Sequence, residues 1–583
     1  MGILLGDRNS NDPVTLGLRA SAARLGGVAV FSGVVNLLML SGSLYMLQVY
    51  DRVLPSRSVG TLIGLSIIVV LAYLFQGYFD VVRMRMLTRI GALFDTALQE
   101  PIHQAIATLP LKGAGSVLTQ QPLRDLDQVR SFITGIGPTA FLDMPWIPLF
   151  VLLLFAFHPL IGVTAVIGAA AIVGMTVFAQ HQSRAAAAIA MECSARRQAL
   201  ADTTRNNAEI IRALGMANRL TARWVQANEH FLRESIRLSD MYAVLGSGSK
   251  VLRYILQSSL LGIGAYLVVN EQASGGIMIA SSIMMGRALA PIEVAISTSK
   301  QFVAARQSIT RLRDILRATA LPEAPAVVLP RPSERLLVSD LSVMAPGTEE
   351  VIVSRVSFAL DAGAGLAIVG ASASGKSSLL RALVGVWPAA NGSVRLDNAS
   401  LEYWRPDELG SHLGYLPQDV ELLDGNVAEN ICRFDTEATP DAILSAARIA
   451  GAHEMILRLP RGYSTRVGEG GKFLSAGQRQ RIGLARAIFG RPFLVALDEP
   501  NANLDVDGEN ALAEAITTLR RQGCIVVVVS HRPTAVAALN MALVMYQGRS
   551  IAFGKSENIL KNMAHTASDR QPNRERTKAV HVA

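Results

Sequence analysis

Six apolar stretches take up much of the first half of the chain: Leu25–Val49, Gly60–Tyr78, Phe141–Phe157, Gly162–Phe178, Val251–Val269 and Gly275–Ile296. Each comes close to the ~20 residues with which a helix crosses hydrocarbon. The alternative for such runs is a helical bundle buried inside a water-soluble protein. Charge placement decides between the two. The short connections on one side carry only Arg52 and Arg57 as basic residues. The other side carries Arg83, Arg85, Arg89, Lys112, Arg124 and Arg130, then a richer run from Arg184 to Lys250. Basic loops stay on the cytoplasmic side of a bilayer, so the pattern predicts six membrane helices with both termini and the long connections in the cytoplasm. Composition agrees: 17% of the 583 residues are charged, whereas a soluble domain carries about a quarter. The net charge of +9 would suit nucleic acid or a membrane. Because the arginines cluster between apolar spans, it points to the lipid bilayer, and no nucleic-acid partner is expected.

His158-Pro159 joins the third and fourth spans as a hairpin. The connections Asp80–Ala140 and Gln180–Lys250 are rich in helix formers and read as cytoplasmic extensions of the membrane helices. Their tips are expected near Leu118–Arg130 and Asn206–Gly215, where they could press on a domain below or simply form a solvated surface. In the sixth span, Met285–Glu293 reads MGRALAPIE and puts Arg287 near mid-membrane. The apolar stretch before Arg287 is too short to cross alone, so Arg287 is expected to face a water-filled pathway rather than snorkel to the interface. Pro291 is expected to kink the helix there. Cys193, Cys432 and Cys524 are scattered without metal-ligand spacing and read as reduced structural thiols.

From Arg317 the chain changes character, and the four prolines of Leu321–Glu334 mark a linker. The expected division is a short cytoplasmic stretch 1–24, an all-α transmembrane domain 25–320, a linker 321–335, an α/β domain 336–562 and a polar tail 563–583.

The second domain is organised around Leu366–Leu380, LAIVGASASGKSSLL. An apolar strand runs into a small-residue loop, and an apolar helix follows. Gly370 to Ser377 fits G-x-x-x-x-G-K-[ST], the loop that cradles phosphates. Backbone N–H groups of Gly370, Ala371, Ser372, Ala373, Ser374, Gly375 and Ser378 can turn toward an anion, helped by the positive end of the helix. Lys376 would reach the β- and γ-phosphates, and the Ser377 hydroxyl would ligate Mg²⁺. A small-residue turn between strand and helix would read similarly, but companions follow in order. Gln418 follows an apolar strand, Leu474–Gln478 reads LSAGQ, Asp498-Glu499 ends a strand, Asp505 follows closely, and Ser530-His531 ends a β-branched strand. In a parallel sheet the strand C-terminal ends converge on the ligand. Asp498 and Gln418 could complete a Mg²⁺ shell, Glu499 could polarise the attacking water, and His531 could contact the γ-phosphate.

With these motifs in hand, residues from about Leu336 to Ser556 resemble an ATP-binding-cassette nucleotide-binding domain. The resemblance implies that two cassettes close head-to-tail, with ATP held by Lys376 of one and by Ser475, Gly477 and Gln478 of the other. One chain with six spans and one cassette then implies a homodimer. The membrane half narrows the family: Ser43–Leu62, Phe141–Phe150 and Met285–Glu293 resemble the type I secretion ABC permease/ATPases, of the protease-exporter, PrtD-like class. That implies export of unfolded polypeptide with an uncleaved C-terminal signal across a bacterial inner membrane. The implied partners are a periplasmic membrane-fusion adaptor, an outer-membrane channel of the TolC type and the secreted polypeptide. Fewer than about 25 residues precede the first span, so no leader-peptidase domain is expected.

Three departures stand out. Ala345 occupies the place of the aromatic that usually stacks on adenine, and no aromatic lies between Leu336 and Ser357. Ala476 replaces the commoner glycine of the signature loop. Asn501 and Asn503 replace small residues beside the Asp498-Glu499 pair. An exporter of lipids or small amphiphiles would share fold and ATPase, and a non-transporting protein gated by ATP is a third reading. The complete set of Lys376, Gln418, Asp498, Glu499 and His531 argues against the third.

Overall fold

A computed structural model describes residues 13–113, 116–319, 329–530 and 532–559. The chain separates into two compact units, one built from the helices up to residue 320 and one from the residues after it together with Leu111–Gly113.

The first unit is all helix. Its long elements are α1 (Pro13–Gln48), α2 (Val59–Thr108), α3 (Ser116–Thr134), α4 (Gly137–Asp143), α5 (Ile147–Phe157), α6 (Pro159–Asn206), α7 (Ala208–Ala213), α8 (Ala217–Val269), α9 (Gly275–Ser297) and α10 (Ser299–Thr319). Six helical segments are long and apolar enough to cross a membrane, and they coincide with the six apolar stretches. Helix α2 has 50 residues, α6 has 48 and α8 has 53. At 1.5 Å per residue each is about 75 Å long, far more than the ~30 Å of hydrocarbon requires. Their excess length forms the long extensions.

Chain reversals follow local chemistry. At the α5–α6 hairpin, His158 is extended and its ring accepts from the Leu160 N–H, capping a helix that opens on Pro159. Beyond α6, the chain turns through α7 and Gly215, whose φ of 63° suits glycine. The first extension turns earlier than expected. The Leu118–Arg130 stretch lies inside α3, and the reversal begins at Leu109–Lys112 and Gly113 (φ 77°). Pro110 and Gly113 end α2, while Pro122 is accommodated within α3. Helix α9 continues through Pro291 to Ser297 as a single element.

Several buried charged groups inside this unit are paired, as burial favours. Arg83 is 7% exposed. It donates to Asp143 (3.0 Å), to Asp80 (2.7 Å) and to the Ser32 hydroxyl (3.1 Å), joining α1, α2 and α4. Asn36 donates to the same Asp143 carboxylate at 2.8 Å. Asp125 on α3 likewise accepts from Ser308 and Arg311 on α10.

The second unit contains two sheets. A four-stranded antiparallel sheet has the order β2 (Val351–Asp361), β1 (Arg335–Met344), β4 (Asn391–Leu396), β5 (Ala399–Ser400). A six-stranded sheet has the order β10 (Arg549–Lys555), β9 (Met541–Tyr546), β3 (Gly365–Gly370), β8 (Ile525–Val529), β7 (Leu494–Asp498), β6 (Leu413–Leu416). All its pairings are parallel except β10–β9. Strands β7 and β8 are buried along their whole length, which explains their continuous apolar runs. Alternate residues enter two cores: Val526 and Val528 pack on one face, Val527 and Val529 on the other.

Truncating Asp143 leaves the Arg83 guanidinium buried beside a vacated partner. We expect Asp143→Ala to cost about 3 kcal/mol or more, read as a lowered melting temperature of the detergent-solubilised protein. The double variant Arg83→Leu/Asp143→Leu should recover most of the loss. Equal melting of Asp143→Ala and the parent protein would show that the pair contributes nothing.

Candidate functional site

Register brings the site together. Strand β3 pairs with β8, β8 with β7 and β7 with β6, all parallel. Their C-terminal ends therefore deliver Gly370, Val529, Asp498 and Leu416 to one edge.

After β3 the loop closes on itself. A Cβ at Gly370 would lie 2.3 Å from the Met545 carbonyl oxygen, so only glycine fits. Ala373 and Gly375 adopt left-handed backbone, φ 62° and 89°, which curls successive N–H groups inward. Lys376 and Ser377 then open helix α11 (Lys376–Leu383). The Lys376 ammonium folds back and donates to the carbonyls of Gly370 (2.9 Å) and Ala371 (2.7 Å). Burial lowers its pKa, against the opposing pull of the Glu499 and Asp498 carboxylates.

Asp498 ends β7 almost completely buried, and its Oδ1 accepts from the Ser377 hydroxyl at 3.1 Å. Its Oδ2 is buried with no hydrogen-bond partner among the described residues. Burial raises its pKa, the Ser377 hydrogen bond opposes the rise, and neighbouring Glu499 adds to it. A buried carboxylate oxygen without a donor, beside a serine hydroxyl, fits a hard divalent cation that takes oxygen ligands.

Glu499 adopts left-handed backbone at φ 46°, unusual for a residue with a side chain. Two bonds hold it there. Its N–H donates to the Val529 carbonyl at 2.9 Å, and its carbonyl accepts from Ala502 at 3.0 Å. The Gln418 amide donates to Glu499 Oε2 at 3.2 Å. Gln418, Asp498, Glu499, Ser377 and Lys376 thus form one cluster at the sheet edge. His531 lies outside the described residues, between Ser530 at the end of β8 and Arg532.

The signature residues form a second cluster. Helix α12 (Ala476–Ile488) opens with a reciprocal cap: the Gln478 N–H donates to the Ser475 hydroxyl, and the Ser475 N–H to the Gln478 side chain. Asp505 accepts from the Gly508 N–H at 2.9 Å and from Arg481, capping helix α13 (Val506–Arg521). The Gly508 N–H, then Arg481, holds its pKa low. Among the described residues no hydrogen bond joins Ser475, Gly477, Gln478 or Asp505 to the phosphate loop.

Three links missed from sequence connect the clusters. Gln480, 3% exposed on α12, donates to the Pro500 carbonyl at 3.2 Å. Asn501, also 3% exposed, accepts from the Ser530 hydroxyl at 3.2 Å. A Cβ at Gly477 would lie 2.8 Å from the Asn503 carbonyl oxygen, so α12 and the turn after Glu499 sit in direct contact. The two asparagines were the only visible signal.

Three aromatics further along the chain, Tyr403, Trp404 and Tyr415, could in principle stack on adenine: Trp404 is buried in the core beside His412, Tyr403 is 63% exposed, and burial raises the pKa of half-buried Tyr415. The Ala345–Glu350 turn closes through its own backbone bonds and carries no ring.

In the helical unit Arg287 is exposed on a cavity, whereas Glu293 is paired with Arg253 of α8 at 2.7 Å.

Comparison with known proteins follows the same division. Residues 25–289 match the ABC transporter transmembrane region, and residues 353–502 match the ABC transporter family. The type I secretion system ATP-binding protein PrsD of Rhizobium meliloti (strain 1021) is 50% identical over 93% of both chains. The exotoxin translocation ATP-binding protein PaxB of Pasteurella aerogenes is 26% identical over 92% of this chain and 76% of its own. The leukotoxin translocation ATP-binding protein LktB of Mannheimia haemolytica is 26% identical over 89% and 74%. A solved structure of a bacterial Atm1-family ABC exporter with ATP bound superposes with a TM-score of 0.80 at 20% identity, covering 95% of this chain and 99% of that one. Six spans ahead of a phosphate-loop ATPase, matched over nearly their whole length, place the chain in the ABC transporters, among the type I secretion system ATP-binding proteins.

Proposed function

We propose that this multi-pass membrane protein hydrolyses ATP to export unfolded polypeptides across a bacterial inner membrane, with its ATPase unit and both termini in the cytoplasm. The observation that carries the reading is the close relation to a type I secretion ATP-binding protein over nearly the entire chain. Export of lipids or small amphiphiles has no such support. The working unit is a homodimer, since one chain supplies six spans and one cassette. Its partners are a periplasmic membrane-fusion adaptor and an outer-membrane channel of the TolC type.

Gly370 to Ser378 holds the phosphates of ATP, with Lys376 released from the Gly370 and Ala371 carbonyls onto the β- and γ-phosphates. Ser377, Asp498 and Gln418 would hold Mg²⁺, which would supply positive charge beside the phosphate oxygens. Glu499, oriented by Gln418, accepts the proton of the attacking water as its oxygen bonds to the γ-phosphorus. The bond to the bridging oxygen breaks, leaving ADP and inorganic phosphate. His531 contacts the γ-phosphate. Ser475, Gly477 and Gln478 of one protomer close over the nucleotide of its partner, with Asp505 fixing the adjoining turn. Arg287 lines the translocation path.

Replacing Glu499 with glutamine removes the proton acceptor and keeps the shape of the site. ATP binding should persist while hydrolysis falls by at least about a hundredfold. Near-normal turnover of Glu499→Gln by purified protein would place the base elsewhere.

Without an aromatic at Ala345, adenine recognition is weak. ATP and GTP should be hydrolysed with kcat/KM values within about tenfold, or about 1.4 kcal/mol. A larger ATP preference would reveal another platform, and Ala345→Tyr should sharpen the preference.

If Arg287 lines the path, a cysteine placed there by Arg287→Cys, with Cys193, Cys432 and Cys524 replaced by alanine, should react with a water-soluble maleimide in at least one nucleotide state. Reaction with lipid-soluble reagents alone would place this position against lipid.

A further inference from the structure

Arg287 differs from the other arginines at the level of the spans: it is exposed, and among the described residues it lacks the acidic partner that they have. Arg83 is paired with Asp80 and Asp143, and Arg253 with Glu293. Arg287 has no ion-pair or hydrogen-bond partner among the described residues. At 1.5 Å per residue it lies about 18 Å along α9 from Gly275, near the middle of ~30 Å of hydrocarbon. A guanidinium at that depth requires water or a polar partner.

Its helix is packed into the bundle, and Arg287 opens onto a cavity rather than onto a smooth helical face. Half of the apolar window of α9 (50%) is buried, against 28% or less for each of the other five spans. Arg287 faces a cavity of about 250 Å³ lined also by Met39, Tyr45, Met46, Val69, Tyr73 and Ile283. The Tyr73 hydroxyl approaches α1 closely because Gly42 lacks a side chain; a Cβ there would lie 2.5 Å from that oxygen. Tyr45 meets the Ser66 hydroxyl at 2.9 Å. Methionine side chains adapt to differently shaped neighbours. Pro291, one turn further on, has no N–H and withholds the helical donor from the Arg287 carbonyl. One residue therefore presents both a cationic donor fork and an acceptor.

We propose that this cavity is a binding site for acidic segments of the exported polypeptide. A glutamate or aspartate carboxylate pairs with the Arg287 guanidinium, and an N–H of the same segment donates to the Arg287 carbonyl. A lipid phosphodiester could also pair with the guanidinium, and the experiment below separates the two. The site rests on the polypeptide-export reading above and adds to it a preference for acidic cargo.

The test uses the full-length protein in phosphatidylcholine nanodiscs. A labelled, unstructured peptide rich in glutamate is titrated by fluorescence anisotropy alongside its counterpart with every glutamate replaced by glutamine. The unaltered protein should bind the glutamate peptide at least about tenfold more tightly, a difference of about 1.4 kcal/mol. Arg287→Gln should abolish that discrimination while binding the glutamine peptide as the unaltered protein does, which also reports that the variant is folded. Arg287→Lys should retain most of it. Undiminished discrimination by Arg287→Gln overturns the proposal. So does native mass spectrometry in which the unaltered protein retains phosphatidylglycerol, Arg287→Gln loses it, and neither discriminates between peptides; the site is then a lipid site. If neither peptide binds the unaltered protein, the polypeptide-export reading itself falls and this site falls with it. That outcome is distinct from loss of the site alone.

Discussion

The parallel register of β3, β8, β7 and β6 is the constraint on which the ATPase unit depends. Ile368 stands opposite Val529, and Val529 opposite Asp498. A one-residue slip in either pairing would send alternate valines of β8 to the wrong core and move Asp498 away from Ser377. The two cores that receive Val526 and Val528 on one side, and Val527 and Val529 on the other, thereby hold the carboxylate and the hydroxyl in place. Chemistry at the edge is precise because packing behind it leaves no freedom.

The helical unit obeys a different constraint. Its helices satisfy their own backbone, so the remaining cost lies in charged side chains away from water. Arg83, Asp125 and Arg253 each meet this cost with an opposite charge on another helix, and those pairings fix which helices touch. Arg287 does not follow the pattern. Among the described residues it is exposed and has no ion-pair partner, so it does not help to fix which helices touch.

Much of this was legible in the sequence because chemistry forced the spacing. A phosphate-cradling loop is announced by small residues followed by a lysine and a serine, as at Gly370–Ser377, and its usual companion is an acidic pair at a strand end, as at Asp498-Glu499. The six spans were equally plain, since hydrocarbon sets their length. The first extension was misread because Pro122 and its polar neighbours resemble a turn, yet a helix accommodates them, while Pro110 and Gly113 end α2. Gln480 escaped notice, and Asn501 stood out only as a departure without a partner, for another reason. Each acts through one hydrogen bond to a residue 20 or 29 positions away, and no local pattern announces such a bond.

The Lys376 ammonium lies against the carbonyls of its own loop. Nucleotide binding is therefore an exchange of partners at a preformed cradle rather than the folding of a disordered one. The two carbonyls act as internal placeholders: they hold the lysine within the loop and compete weakly with an incoming phosphate for it. Such a competitor trims affinity while sparing the ordering entropy of binding. In a cyclic machine that must release its product as readily as it captures its fuel, a binding step of moderate depth shortens the dwell after each hydrolysis.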